Sequence, residues 1–236
     1  MPSSRFTRAL LLAVALASSA TLAQAASTDP VKLHGVSYPA TIQSQGKALE
    51  LNGAGTRYKA VFKVYTAGLY LEKPAHNFQD VAALSGPKRI TVTMLRDIDS
   101  AELGKLFSRG MEDNMERAAF SKLIPGVMRM SELFSQHKKL LAGENFSVDW
   151  IPGQGSIVTV KGQPQGEAFK EPEFFNALLG IWLGPRPADQ QLKKALLGEG
   201  GGLTAASAAR GNNRAAQTAR RAPGRCSTAD RPHCAA

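Results

Sequence analysis

The stretch that decides the fold covers residues 53–72 and reads GAGTRYKAVFKVYTAGLYLE. Its tyrosines, valines and phenylalanine favour β-structure, so we expect one long β stretch over residues 57–71. Gly68 interrupts that stretch and predicts a bulge or bend. The segment before it, residues 52–55 (Asn-Gly-Ala-Gly), has the composition of a turn.

The rest of the central region alternates between strand and helix patterns. Further strands are predicted over residues 31–38, 49–51, 89–95, 145–150, 156–161 and 163–169. Ser100 is expected to cap a first helix, Ile124-Pro125-Gly126 to break it, and residues 127–141 to resume it. Two more helices are predicted over residues 172–181 and 189–197. This order indicates an α+β domain, an antiparallel sheet with helices on one face.

The N-terminus has the three parts of a secretory signal peptide. Arg5 and Arg8 form a positive start, residues 9–17 are apolar, and residues 23–25 (Ala-Gln-Ala) match a cleavage site. We expect a cleavable signal over residues 1–25 and a periplasmic protein. The alternative is an uncleaved anchor, because the uncharged run to residue 26 is close to the roughly 18 residues that can span a bilayer.

The C-terminal segment, residues 199–236, differs from the rest in composition. It is rich in alanine, glycine and arginine and has no apolar periodicity, which predicts disorder. Its six arginines against Glu199 and Asp230 give it much of the chain's net charge of +10. It also holds both cysteines, Cys226 and Cys234. The alternatives are a segment without function and a tether to an anionic surface. The domain itself, predicted over residues 26–198, has no cysteine.

Motifs for the common reaction types are missing from the sequence. There is no GxSxG, no phosphate-binding loop, no GxGxxG after a strand and no HExxH. The four histidines are far apart in the chain and predict no metal site. We expect no cofactor, no metal, no nucleic-acid partner and no stable membrane span.

Two patterns in the opening stretch resemble those of a known family. Residues 53–57 read Gly-Ala-Gly-x-Arg, and residues 63–72 read Lys-x-x-x-x-Gly-x-Tyr-Leu-Glu. Together with residues 179–184 (LGIWLG), they resemble the chalcone isomerase fold family, in particular its exported bacterial chalcone isomerase-like members. The resemblance covers residues 35–197. It implies an open-faced sandwich, an antiparallel β-sheet with a layer of helices on one face.

The resemblance also implies a site. Family enzymes, which are intramolecular lyases, close a chalcone into a flavanone without a cofactor, and a strand arginine holds the anionic oxygen. That arginine matches Arg57, and a helix asparagine matches Asn114. A family threonine falls on Tyr65 and a family tyrosine on Phe107. A late Thr-Met pair falls on residues 181–182, which are Ile and Trp here.

The altered set leaves one cation in apolar surroundings, and three hypotheses follow. The first is a non-catalytic protein that binds a small amphipathic anion such as a fatty acid. The second is an intramolecular lyase or isomerase, with Arg57, Tyr65 and Asn114 as catalytic residues. The third is a structural or partner-binding envelope protein. The predicted ligand-binding residues are Arg57, Tyr65, Phe107, Met111, Asn114, Ile181 and Trp182.

Overall fold

The structure, a computed structural model, describes residues 29–199. The strands are β1 (Val31–Leu33), β2 (Val36–Tyr38), β3 (Thr41–Ser44), β4 (Lys47–Lys59), β5 (Phe62–Leu71), β6 (Lys88–Met94), β7 (Ile98–Asp99), β8 (Lys139–Leu140), β9 (Asn145–Ile151), β10 (Gly155–Val160) and β11 (Gln163–Phe169). The helices are α1 (Phe78–Ala83), α2 (Ser100–Glu112), α3 (Arg117–Ser135), α4 (Pro172–Leu183) and α5 (Gln190–Leu196).

The predicted termini fall almost entirely outside this range. The signal peptide over residues 1–25 and all of the tail except Glu199 lie outside the described residues. Between residues 29 and 199, no helix is both long enough and apolar enough to cross a bilayer.

Seven strands form one antiparallel sheet, in the order β11-β10-β9-β6-β5-β4-β3. One face of the sheet packs against the helices, and buried side chains of β5, β6, β9 and β10 form the main core there with α2, α3, α4 and α5. The predicted α+β class, an antiparallel sheet with a helix layer, is confirmed. Burial of this single large apolar face is the main term that stabilises the domain.

The opposite face of the sheet carries a small second layer that the sequence did not predict. Residues 31–38 form a hairpin of β1 and β2 rather than one strand, and the ring of Tyr38 from it lies on β5. A Cβ atom at Gly68 would lie 2.5 Å from the Tyr38 ring. The prediction of a bulge or bend at Gly68 is wrong, because the glycine pairs regularly with Ala54 and makes room for that ring.

The prediction of a turn at residues 52–55 is also wrong. These residues lie inside β4, and Gly53 and Gly55 pair with β5. A Cβ atom at Gly53 would lie 2.0 Å from the carbonyl oxygen of Ala195, and one at Gly55 would lie 2.7 Å from the Ala195 Cβ. The glycines therefore allow α5 to approach the strand closely, which is the other common use of glycine in a strand.

A β-bulge at Asn52 changes which side chains of β4 face the helices. Leu51 pairs with Tyr70 and Gly53 with Leu69, so Asn52 is an extra residue between two regular pairs. Because side chains alternate along a strand, one extra residue inverts the alternation beyond it. Residue 51 faces the Tyr38 hairpin, whereas the later odd-numbered residues, including Arg57, face the helices.

Three boundaries differ from their predictions. The stretch over residues 57–71 divides into two strands at a turn at Ala60, whose φ of 53° is left-handed. Asp99, not Ser100, caps α2, and its carboxylate accepts the N–H groups of residues 101 and 102. Helix α3 runs through Pro125 to Ser135. Pro125 is exposed, and the main apolar contacts of α3 come from its other side.

Candidate functional site

Arg57 and Tyr65 lie opposite each other on β4 and β5, on the helix-facing side of the sheet. The guanidinium carbon of Arg57 lies 5.5 Å from the centroid of the Tyr65 ring. Arg57 is half-buried, and its buried Nε has no hydrogen-bond partner. None of the ion pairs within residues 29–199 includes it. The Arg57 guanidinium therefore has a free donor, and an anion at this position would be stabilised by a charge-assisted hydrogen bond.

The hydroxyl of Tyr65 is held by a neighbouring tryptophan. The indole Nε1 of Trp182, on α4, donates a hydrogen bond of 2.9 Å to it. Burial raises the pKa of Tyr65, while the positive charge of Arg57 and the indole hydrogen bond oppose that rise. Because its pKa is raised, Tyr65 remains a protonated phenol at neutral pH and is not a base, and its hydroxyl keeps a hydrogen that it can donate.

Apolar side chains surround this polar group. The ring of Phe107, on α2, packs edge-to-face on Trp182 at 6.1 Å, and also on Phe134 and Phe146. Met111 and Ile181 are buried in the same core. The sequence-predicted residues Phe107, Trp182 and Tyr65 thus form one continuous set of contacts. Their rings occupy the space between the sheet and the helices.

Asn114 has a different set of partners. Its Nδ2 donates to the carbonyl oxygens of Gly110 and Arg186, at 2.8 and 2.9 Å, and its Oδ1 accepts from the Arg186 N–H at 2.7 Å. The side chain therefore ties the segment after α4 to the end of α2. None of these hydrogen bonds goes to Arg57 or Tyr65.

Asp189 is a nearby charged residue that the sequence analysis did not assign to the site. Its Oδ1 caps α5 by accepting the N–H groups of residues 191 and 192, and its Oδ2 accepts from the Tyr58 N–H at 2.9 Å. Backbone N–H groups thus satisfy both carboxylate oxygens, and Arg57 gains no ion pair from them. An aspartate directly before a helix is a common capping signal that could have identified the cap, but no sequence signal indicated the contact with β4.

Lys88 is a second buried cation that the sequence analysis missed. It is 3% exposed on β6, and its Nζ donates to the carbonyl oxygen of Leu84 at 2.5 Å and lies 5.9 Å from the Phe175 ring. Burial lowers its pKa to about 8. No ion pair within the described part of the chain includes it.

Arg57 does not line either of two surface cavities formed by the described residues. One of about 440 Å³ lies between the β1–β2 hairpin and the outer face of β6. The other, of about 260 Å³, is lined in part by Lys88 and Trp150. Between residues 29 and 199 no group of three or more acidic, histidine or cysteine side chains is arranged to hold a metal ion.

Comparisons with known proteins agree on the fold. A family model described as chalcone isomerase-like matches residues 30–198. The crystal structure of a fatty-acid binding protein from Arabidopsis thaliana matches with a TM-score of 0.56 at 16% sequence identity. The match covers 72% of this chain and 96% of the plant protein. Among curated proteins, no sequence is significantly similar to this chain.

Proposed function

The chain belongs to the chalcone isomerase-like family, and we propose that it is a non-catalytic member that binds a small amphipathic carboxylate, such as a fatty acid, at Arg57. The observation that carries this proposal is the half-buried Arg57 guanidinium, which has a free Nε and no ion pair in the described chain. A guanidinium stays charged at any physiological pH and pairs well with a carboxylate.

The neighbours of Arg57 suit the same ligand. The Tyr65 hydroxyl accepts from Trp182 and keeps its own hydrogen, which a carboxylate oxygen could accept. Phe107 and Trp182 offer an apolar wall for an alkyl chain. Neither of the cavities described above includes these rings, so the chain would have to separate them to enter. The fold likeness to a plant fatty-acid binding protein is consistent with this class of ligand.

The same features weaken the alternative of ring closure. By the resemblance in sequence, Phe107 falls where the family enzymes carry a tyrosine, and a phenyl ring has no hydroxyl to polarise a ketone. Tyr65 keeps its proton at neutral pH, so it does not act as a general base. We place the binding outside the cytoplasm, as part of the proposal, because residues 1–25 have the pattern of a signal peptide.

The test is a binding measurement on the full chain with palmitate as the probe, together with mass spectrometry of small molecules released by denaturation. Arg57→Ala should weaken palmitate binding about 10- to 150-fold, because charge-assisted hydrogen bonds contribute about 1.5–3 kcal/mol. Arg129→Ala is the matched control, since Arg129 is also half-buried and its guanidinium lies 3.8 Å from the Phe169 ring centroid.

Two results would overturn the proposal. One is a wild-type protein that neither carries nor binds a fatty acid. The other is an Arg57→Ala variant that binds palmitate as tightly as the wild type. Turnover of a chalcone well above its spontaneous rate, lost in Arg57→Ala, would instead favour the intramolecular lyase.

A further inference from the structure

The hairpin between β4 and β5 extends past its neighbours in the sheet. Strand β3 pairs with β4 only as far as Glu50, and β6 pairs with β5 only from Tyr65. Residues 58–63, here called the hairpin tip, therefore have no strand beside them on either side. Each arm of the tip has three residues, so at about 3.3 Å for each residue the tip projects at most about 10 Å.

The hairpin tip combines exposed apolar side chains with lysines. Val61 is 82% exposed, Phe62 63% and Tyr58 42%. Lys59 and Lys63 are both exposed as well, and no acidic residue occurs among residues 58–63. The Nζ of Lys63 lies 3.2 Å from the Nδ1 of His34. The Asp189 carboxylate contacts the tip through the backbone N–H of Tyr58, and none of the ion pairs within residues 29–199 includes Lys59 or Lys63.

We infer that the hairpin tip docks on an anionic lipid surface. Val61 and Phe62 enter the boundary between the headgroups and the acyl chains, and Lys59 and Lys63 pair with the lipid phosphates. Apolar side chains flanked by cations bind anionic membrane surfaces in two ways. The apolar side chains are buried in the lipid, and the cations are attracted to the anionic headgroups. The long lysine side chains allow the charges to stay at headgroup level while the tip inserts.

The size of the tip favours a lipid surface over a second copy of the chain. A stable protein interface buries about 1,200–2,000 Å² in total, whereas a large aromatic side chain buries about 150–250 Å². Three apolar side chains on a narrow projection do not reach that area. They do suffice for reversible contact with a membrane, in which no complementary protein surface is needed.

The role that we assign to this docking, delivery of a ligand from the bilayer, depends on the proposed function. Arg57 directly precedes the hairpin tip, so a docked protein would hold its ligand site close to the bilayer. An amphipathic carboxylate dissolves mainly in the bilayer, and a carrier that docks there meets its ligand at high local concentration. Docking itself does not depend on Arg57, so an experiment can refute ligand binding at Arg57 without refuting membrane docking by the hairpin tip.

The first test is co-sedimentation of the full chain with vesicles rich in phosphatidylglycerol. The double variant Val61→Ser, Phe62→Ser should bind about tenfold more weakly or worse, because two exposed apolar side chains are lost. The control is Ile124→Ser, Met128→Ser, which removes two apolar side chains that are 42% and 60% exposed on α3. Every protein carries the same arginine-rich C-terminal segment, so the difference between variants reports on the hairpin tip.

The second test reads insertion directly. Val61→Trp should gain fluorescence quenching from brominated lipids in phosphatidylglycerol vesicles, and the matched Met128→Trp should gain none. Equal quenching of both, or equal vesicle binding by the two double variants, would overturn the inference. So would a stable dimer in solution that Val61→Ser, Phe62→Ser abolishes.

A solution measurement separates this inference from the proposed function. Val61→Ser, Phe62→Ser should keep the equilibrium affinity for soluble palmitate and lose rapid uptake of palmitate from vesicles. Arg57→Ala should show the reverse, with normal vesicle binding and weak palmitate binding. If Arg57→Ala kept its palmitate affinity while the tip variant lost vesicle binding, the function would be refuted and the docking surface would stand.

Discussion

Replacement of the buried Lys88 by methionine should stabilise the protein and remove part of the pH dependence of its stability. Lys88 is 3% exposed as a whole residue, and its ammonium group has no ion pair within the described chain. A fall in its pKa from 10.5 to about 8 corresponds to about 3 kcal/mol, at about 1.4 kcal/mol for each pH unit. We expect a gain in the free energy of unfolding of only about 1–2 kcal/mol at pH 7.

Two structural features make the expected gain in stability smaller than the full cost of the pKa shift. Lys88 lines a surface cavity, so water relieves part of the charge penalty. Methionine also loses the hydrogen bond to the carbonyl oxygen of Leu84 and the contact of the ammonium with the Phe175 ring. Methionine has nearly the same length as the lysine stem, so the surrounding core should accept it.

The sign of the pH effect follows from which state holds the proton. Between pH 8 and 10.5 the unfolded chain keeps the Lys88 proton and the folded chain releases it, so this lysine makes stability rise with pH in that window. The advantage of Lys88→Met should therefore shrink between about pH 8 and pH 10. Urea unfolding at a series of pH values measures this difference, and Lys138→Met, at an exposed site, is the control.

A constant gap between the wild type and Lys88→Met from pH 7 to pH 10 would refute the reasoning, because it would mean that the amine is well solvated in the folded state. Measurements should stay below about pH 10, since burial raises the pKa of Tyr38, Tyr65 and Tyr70. The folded state keeps these phenol protons when the unfolded chain loses them, which lowers stability above that pH.

Two further predictions concern the sheet. Asn52→Ala should lower the free energy of unfolding by about 3 kcal/mol and the melting temperature by roughly 6–12 °C, because it leaves the buried N–H of Ala75 without its acceptor; a melting temperature within about 2 °C of the wild type would contradict this. Gly68→Ala should cost about 1–3 kcal/mol by pressing on Tyr38. Urea unfolding should show that Tyr38→Leu recovers part of this cost in the double variant, and strict additivity would count against the contact.

The strand and helix patterns predicted the architecture well where one physical signal dominated. The stretch of residues 145–169 alternates clearly and has its turn residues between the strands, and the observed strands there agree with the prediction. The helices predicted over residues 172–181 and 189–197 are also observed, as α4 and α5, and Pro172 stands at the start of α4. These signals act within a few residues, so a single sequence contains them.

The features that escaped prediction depend on contacts between distant residues. Gly53 and Gly55 are compatible both with a turn and with a strand that packs closely against a helix. Only the position of Ala195 in the folded chain distinguishes the strand from the turn. Asn114 makes hydrogen bonds to the backbone of Arg186, which is 72 residues away. The Arg57–Tyr65 pair was predicted through a resemblance, whereas its freedom from acidic partners is visible only in three dimensions.

The number of residues between the bulge at Asn52 and Arg57 determines which face of the sheet the arginine lies on. If the bulge at Asn52 is kept, deletion of a single residue from positions 53–56 would move Arg57 from its place opposite Tyr65 to one opposite Thr66, whose side chain faces the β1–β2 hairpin. The strand could still pair with β5, so the chain could keep its sheet and lose its cation. Relatives that bind an anion here should therefore conserve the spacing between the bulge and the arginine more strictly than the identity of the residues between them.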